Sequence, residues 1–167
     1  ELGASFGVGL AAAGGAGDYM QQEWDKLWTK VWLLACREED LPEPGDHYVT
    51  EIGVESILLV RQKDMSIRAF YNVYQHRGNK LVHSFEQPQE AAQSFKCKYH
   101  DWEYGLDGGF VDIPDLETFP QGAPDCSGLT SLPCDSWGSF VWFSLNPDVE
   151  PLKDYLGIIP EHLNPYH

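Results

Sequence analysis

From Val31 to Leu145 the chain advances in short apolar segments, each stopped within a few residues by Gly, Pro, Asn or Asp. A helix needs apolar residues recurring at three and four over a longer stretch, so segments this short and this often interrupted read as strands. Val31-Trp-Leu-Leu-Ala-Cys36 is the first such run, and Leu41-Pro-Glu-Pro-Gly45 is a turn. His47 to Ile52, Ser56 to Arg61 and Ile67 to Val73 follow, with breaks at Gly53 and around Lys63-Asp64, and the last two form a hairpin. Ser94 to Cys97, Trp102 to Gly105 and Gly109 to Val111 are shorter, the latter two joined by the turn Asp107-Gly108-Gly109. Pro114 to Pro133, rich in Pro, Gly and Asp, reads as a long surface connection, and Ser139 to Leu145 as the last strand. Strands at such intervals without helices between them predict an all-β fold, with antiparallel sheets forming a sandwich or partly open barrel.

One helix precedes the strands. Asp18 with Gln21 three residues on has the form of an N-cap and its capping partner, and Met20, Trp24, Leu27, Trp28 and Val31 make an apolar stripe. The stripe runs to about Thr29 or Lys30 and is expected to pack on the core. Before it, Leu2 to Gly17 carries no charge and is rich in Gly and Ala. That stretch is shorter than the roughly 20 residues of a membrane helix, and only Glu1 stands where an export signal would carry basic residues. Residues 1–17 are expected to be a flexible tail, with the remnant of an export signal as the other reading; the absence of an initiating Met fits a processed or cut chain. Residues 18–156 are expected to form one domain, since 167 residues suit a single core. Residues 157–167 read as a boundary segment, preceded by a short helix from Pro151 to Leu156.

A net charge of −15 repels phosphate backbones and anionic lipid, which argues against nucleic-acid and membrane-surface roles. Four cysteines at irregular spacing make no disulfide framework. Cys126 and Cys134 flank a short loop and could pair under oxidising conditions; otherwise they are buried or free thiols.

Two loops carry the chemistry: Tyr74-Gln-His-Arg-Gly78, and Cys97-Lys-Tyr-His-Asp-Trp102. A [2Fe–2S] cluster with thiolates on one iron and imidazoles on the other needs one Cys and one His on each of two loops, as Cys-x-His and Cys-x-x-His. The second loop is complete in Cys97 and His100; the first offers His76, with Tyr74 at the cysteine position. A phenol is a hard oxygen donor with a pKa near 10, and only as phenolate would it bind ferric iron. The residues therefore leave four outcomes open: a phenolate-ligated cluster, a single iron or zinc on His76, Cys97 and His100, an empty site on an intact fold, or a cluster completed by Cys36. Two imidazoles and a thiolate with a fourth position open suit tetrahedral zinc. His47 and His83 read as ordinary residues. Arg77, Lys80, Lys96 and Lys98 lie in or beside the loops, either as a positive collar for an acidic electron-transfer partner or as solvated loop charges.

The surroundings extend the pattern. Leu41-Pro-Glu-Pro-Gly-Asp46, Ala69-Phe-Tyr-Asn-Val73, His76-Arg-Gly78 with Leu81, Phe95-Lys-Cys97, Tyr99-His100 with Trp102 and Tyr104, and Leu106-Asp-Gly108 together resemble the N-terminal domain of Rieske non-haem iron oxygenases, from about Trp24 to Leu156. The resemblance implies a [2Fe–2S] cluster whose outer iron is held by His76 and His100 and whose inner iron is held by Cys97, with Tyr74 at the remaining position. It implies that Gly78 lets the loop backbone approach the cluster and that Trp102 packs beneath it. It also implies an oxidoreductase domain, not catalytic by itself, that takes electrons from a ferredoxin or flavin reductase. These would pass to a mononuclear iron in a C-terminal catalytic domain outside this chain, within a cytoplasmic homo-oligomer. His162 and His167 have the spacing of that mononuclear site, but Pro165 between them makes the match a coincidence.

Overall fold

The computed structural model describes residues 16–73, 78–83, 91–98, 100–114 and 128–163, the side chains of Ala16 and Asp18 excepted. Helix α1 (Ala16–Glu23) runs into a π-helical turn (Trp24–Trp28). The strands are β1 (Trp32–Arg37), β2 (His47–Ile52), β3 (Glu55–Arg61), β4 (Ile67–Tyr71), β5 (Ser94–Lys96), β6 (Glu103–Gly105), β7 (Phe110–Asp112), β8 (Ser131–Leu132), β9 (Cys134–Trp137) and β10 (Phe140–Ser144). Two short helices follow, α2 (Leu152–Leu156) and α3 (Ile159–Leu163). Among the described residues the strands form three antiparallel sheets, ordered β1-β10-β9, β2-β3-β4-β8 and β5-β6-β7, and no barrel closes.

Strand β3 explains the layering. Ile57, Leu58, Leu59 and Val60 are all at 0% exposure, because this strand is flanked by β2 and β4 and covered on both faces. Successive side chains point to opposite faces, so Leu58 and Val60 join one core cluster, with Phe70, Phe95, Cys97 and Trp102. Ile57 and Leu59 join the other, with Leu33, Cys36, Leu41, Val141 and Phe143. The β2-β3-β4-β8 sheet is thus a middle layer. The small β5-β6-β7 sheet covers one face and the β1-β10-β9 sheet the other. A strand buried on both sides needs apolar residues without alternation, which is what Ile57 to Val60 supply. Each such side chain contributes about 1.5–3 kcal/mol on burial.

Most predicted strands fall within a residue or two of the observed ones, and four differences stand out. The described helix already includes Ala16, so Asp18 lies inside its first turn and does not cap its start. Its apolar stripe packs only in part: Met20, Leu27 and Trp28 are exposed, whereas Trp24, its ring against the backbone of Gly53, and Val31 at the end of the stripe reach the core. The π-helical turn widens the period just where the stripe should continue, which rotates Leu27 and Trp28 away from the sheet. The connection predicted over Pro114 to Pro133 ends inside the core, with Leu129 and Leu132 buried and Leu132 in register with Ala69 of β4; residues 115–127 lie outside the described set. Strand β9 and helix α3 were not predicted. Cys-Asp-Ser-Trp has no apolar periodicity, and it forms a strand because it pairs along β10, with Cys134 opposite Phe143. Helix α3 occupies part of the expected boundary segment and is largely exposed, whereas Leu152 and Leu156 of α2 pack against Trp32. No described helix is long and apolar enough to cross a membrane.

Candidate metal centre

The second loop grows out of the middle of a core. Strand β5 buries Phe95 and delivers Cys97 at 2% exposure, and Trp102, also at 2%, leads into β6. Two backbone hydrogen bonds close the turn between them: the Cys97 N–H donates to the Trp102 carbonyl at 2.9 Å, and the Asp101 N–H donates to the Cys97 carbonyl at 3.0 Å. The reversal is completed by Asp101, whose φ of +60° is left-handed. Trp102 packs edge-on against Phe110 with ring centroids 5.6 Å apart. His100 rides on this turn, half-buried, with Nδ1 shielded from solvent. A buried thiol and a half-buried imidazole on one tight turn are a fit for one half of a mixed sulfur and nitrogen donor set.

Tyr74, His76 and Arg77 of the first loop lie outside the described residues. Cys97 and His100 are therefore the two of the four expected ligands that the structure places. Among the described residues no three His, Cys, Asp or Glu side chains converge on one point. Both ends of the first loop are described, and its exit meets the second loop. Leu81 and Val82, its exit, share the core cluster of Cys97 and Trp102. A cavity of about 160 Å³ is lined by Lys80, Leu81 and His83 from one loop and Lys98 from the other. Gly78 has a left-handed φ of +70°, and no atom of the described residues lies within 4 Å of where a Cβ would sit.

His83, expected to be ordinary, thus stands at the junction of the two loops. Asn72, which the sequence offers only as part of the segment Ala69 to Val73 and without a role, is fully buried at the entry to the first loop. The signal was present, since a polar residue interrupts the segment Ile67 to Val73 just before the ligand loop begins. His47 behaves as expected: its ring packs edge-on against Phe95 at 5.1 Å, and Nδ1 lies 3.3 Å from the Gly45 carbonyl.

The other thiols stand apart. Cys36 belongs to the core on the far side of the middle sheet from Cys97. Burial, and then the Asp40 carboxylate, push its thiol up to about 12, against an opposing pull from Arg61. A thiol held protonated in the other core is a poor candidate to complete a cluster. Cys134 is a free thiol, raised to about 12 by burial and then by Asp135 and Cys36; its suggested partner Cys126 lies outside the described residues. The positive collar is mixed in sign among the described residues. Lys80 pairs with Glu51, Lys96 sits in register opposite Glu103, and Asp101 adds an exposed carboxylate. His162 is exposed on α3, and His167 lies outside the described residues. A larger cleft of about 420 Å³, lined in part by Gln62, Arg68 and Asp107, shares none of the described residues of either loop.

Known proteins place this arrangement. The chain is 33% identical over 153 residues to the large oxygenase component of the naphthalene 1,2-dioxygenase system of Pseudomonas aeruginosa, covering 89% of this chain and 33% of that protein. It is 29% identical over 136 residues to the carnitine monooxygenase oxygenase subunit of Escherichia coli (strain K12), covering 81% and 36%. A crystal structure of a naphthalene 1,2-dioxygenase variant bound to phenanthrene superposes with a TM-score of 0.81 at 30% identity, over 92% of this chain and 34% of that one. The apo form of a quaternary ammonium Rieske monooxygenase gives 0.79 at 26%, over 87% and 41%. The chain thus spans about a third of the length of the curated relatives it matches. Residues 31–133, which include both loops, match the Rieske [2Fe-2S] domain, and the chain belongs to that family.

Proposed function

We propose that this chain is the electron-relay domain of a longer Rieske-type oxygenase component, with His76, Cys97, His100 and Tyr74 as its metal-binding positions. The observation that carries the reading is the closed turn from Cys97 to Trp102, which seats a thiol at 2% exposure and an imidazole beside it, in a chain whose family match spans both loops. When bound, a cluster of this kind supplies a one-electron carrier. The chain's own residues divide the labour. Cys97 offers a soft donor inside the core, Trp102 and Phe95 keep water from it, and His100 offers a nitrogen donor nearer the surface. A ferredoxin or flavin reductase is the proposed donor in the cytoplasm, and a mononuclear iron in a further domain the proposed acceptor. Substrate choice belongs to that further domain.

Tyr74 favours a second reading, in which His76, Cys97 and His100 hold a single iron or zinc, or the loops serve as a scaffold without metal. With Cys36 confined to the other core, no thiol among the described residues replaces the missing one. Elemental analysis with an acid-labile sulfide assay and electron paramagnetic resonance separates the readings. Iron and sulfide in equal amounts with a Rieske-type signal are expected; zinc, iron without sulfide, or no metal would reject the relay role. Tyr74→Cys should raise cluster content several-fold after reconstitution with iron and sulfide. A variant that still takes up neither would show that more than this one donor has diverged.

A further inference from the structure

We propose that Asn72 is the positioning residue of the first ligand loop, its carboxamide tying the strand that enters the loop to the two residues that leave it. The inference rests on the reading of Tyr74 and His76 as metal-binding positions. Asn72 is at 0% exposure, one residue beyond the end of β4. Its Oδ1 accepts from the Leu81 N–H at 3.2 Å and from the Val82 N–H at 3.0 Å. Its Nδ2 donates to the Val82 carbonyl at 2.6 Å and to the Ser56 hydroxyl at 3.1 Å. A carboxamide has two donor hydrogens and two acceptor lone pairs, so every hydrogen-bonding capacity of this side chain is used. The Asn72 N–H in turn donates to the Ser56 carbonyl at 2.8 Å, which fixes the tie to β3.

Sequence separation gives these bonds their meaning. Three of the four side-chain bonds reach nine or ten residues ahead, and the residues they enclose, Val73 to Lys80, contain Tyr74 and His76. Leu81 and Val82 are themselves buried in the cluster of Cys97 and Trp102, so one amide anchors the first loop against the core that carries the second. A leucine would fill the volume but leave two N–H groups and a carbonyl buried without partners. Gln62 is the natural comparison. It is nearly as buried, at 7% exposure, but its Nε2 donates to the carbonyls of Val60 and Leu106, away from either loop. A purely structural role would make the two amides equivalent, whereas a positioning role would not.

The test uses the chain after removal of metal by a chelator, with amide hydrogen exchange as one readout and titration with Co²⁺, followed by its thiolate absorption, as the other. In the unaltered chain the Leu81 and Val82 amides should be protected about a hundredfold or more over the unstructured-chain rate. Asn72→Ser should lose that protection while the amides of Val141 and Phe143 keep theirs, and its Co²⁺ affinity should fall about tenfold, the size seen when a residue that orients a ligand is removed. Gln62→Leu should lower the melting temperature but leave Co²⁺ affinity within about twofold. Fast exchange at Leu81 and Val82 in the unaltered chain would overturn the proposal without any variant having to fold. So would equal losses of Co²⁺ affinity in the two variants. An unaltered chain that binds no Co²⁺ while Leu81 and Val82 stay protected would instead reject the metal-site reading, and the positioning role with it, leaving Asn72 as a tie between core and loop.

Discussion

Asp101 shows how much a single backbone conformation decides here. A residue with a side chain pays about 1–2 kcal/mol to adopt the left-handed region, and Asp tolerates it better than most. At φ +60° it reverses the chain so that the Cys97 N–H meets the Trp102 carbonyl, and His100 is carried on the turn thus made. Asp101→Gly should raise the stability of the apoprotein by about 0.5–1 kcal/mol, and Asp101→Val should lower it by about 1–3 kcal/mol, both read from urea unfolding midpoints. Equal midpoints would mean that the turn is not strained. If His100 is a ligand, His100→Ala should abolish metal retention on gel filtration, whereas the exposed His162→Ala should leave it intact. The ligand types were legible in the sequence, because Cys-x-x-His is a local spacing. The burial of Cys97, the left-handed Asp101 and the four bonds of Asn72 were not, since each depends on residues far along the chain.

Elements were legible to the degree that their own residues dictated them. Strand β3 declares itself, as Ser56 to Arg61 is an apolar run between turns and no helix fits its length. Strand β9 does not, because it is a strand by virtue of its partner. The same holds for the stripe on α1, whose spacing is right but whose packing is undone in part by the π-helical turn that follows. Strand β10 lies between β1 and β9 and should dominate the stability of its sheet. Phe143 is 2% exposed there, and Phe143→Ala should cost about 3–5 kcal/mol through lost transfer energy and the cavity left behind. Val111 on β7 is 62% exposed, and Val111→Ala should stay within about 0.5 kcal/mol. Denaturant unfolding followed by tryptophan fluorescence distinguishes them, and similar costs would contradict the layering.

At the scale of the molecule, the middle sheet keeps two chemistries apart. Cys97 lies in one core and Cys36 in the other, where burial raises the Cys36 thiol from 9.0 to about 12. The folded state therefore holds this proton longer than the unfolded chain does. Its contribution to stability is full below about pH 9 and is lost as pH rises towards 12. The unfolding free energy should fall between those values, and by less in Cys36→Ala than in the unaltered chain; parallel losses would show that the Cys36 thiol is not responsible. By itself the sequence determined the all-β class, the places of most strands and turns, and the ligand types of the two loops, because strand period, turn chemistry and donor spacing are properties of adjacent residues. Only the tertiary structure decided that one sheet separates two cores, that Cys36 cannot join Cys97, and that Asn72 ties the first loop to the core of the second. The physical reason is that burial and hydrogen-bond partnership are set by residues distant in the chain, and these meet only when the layers pack.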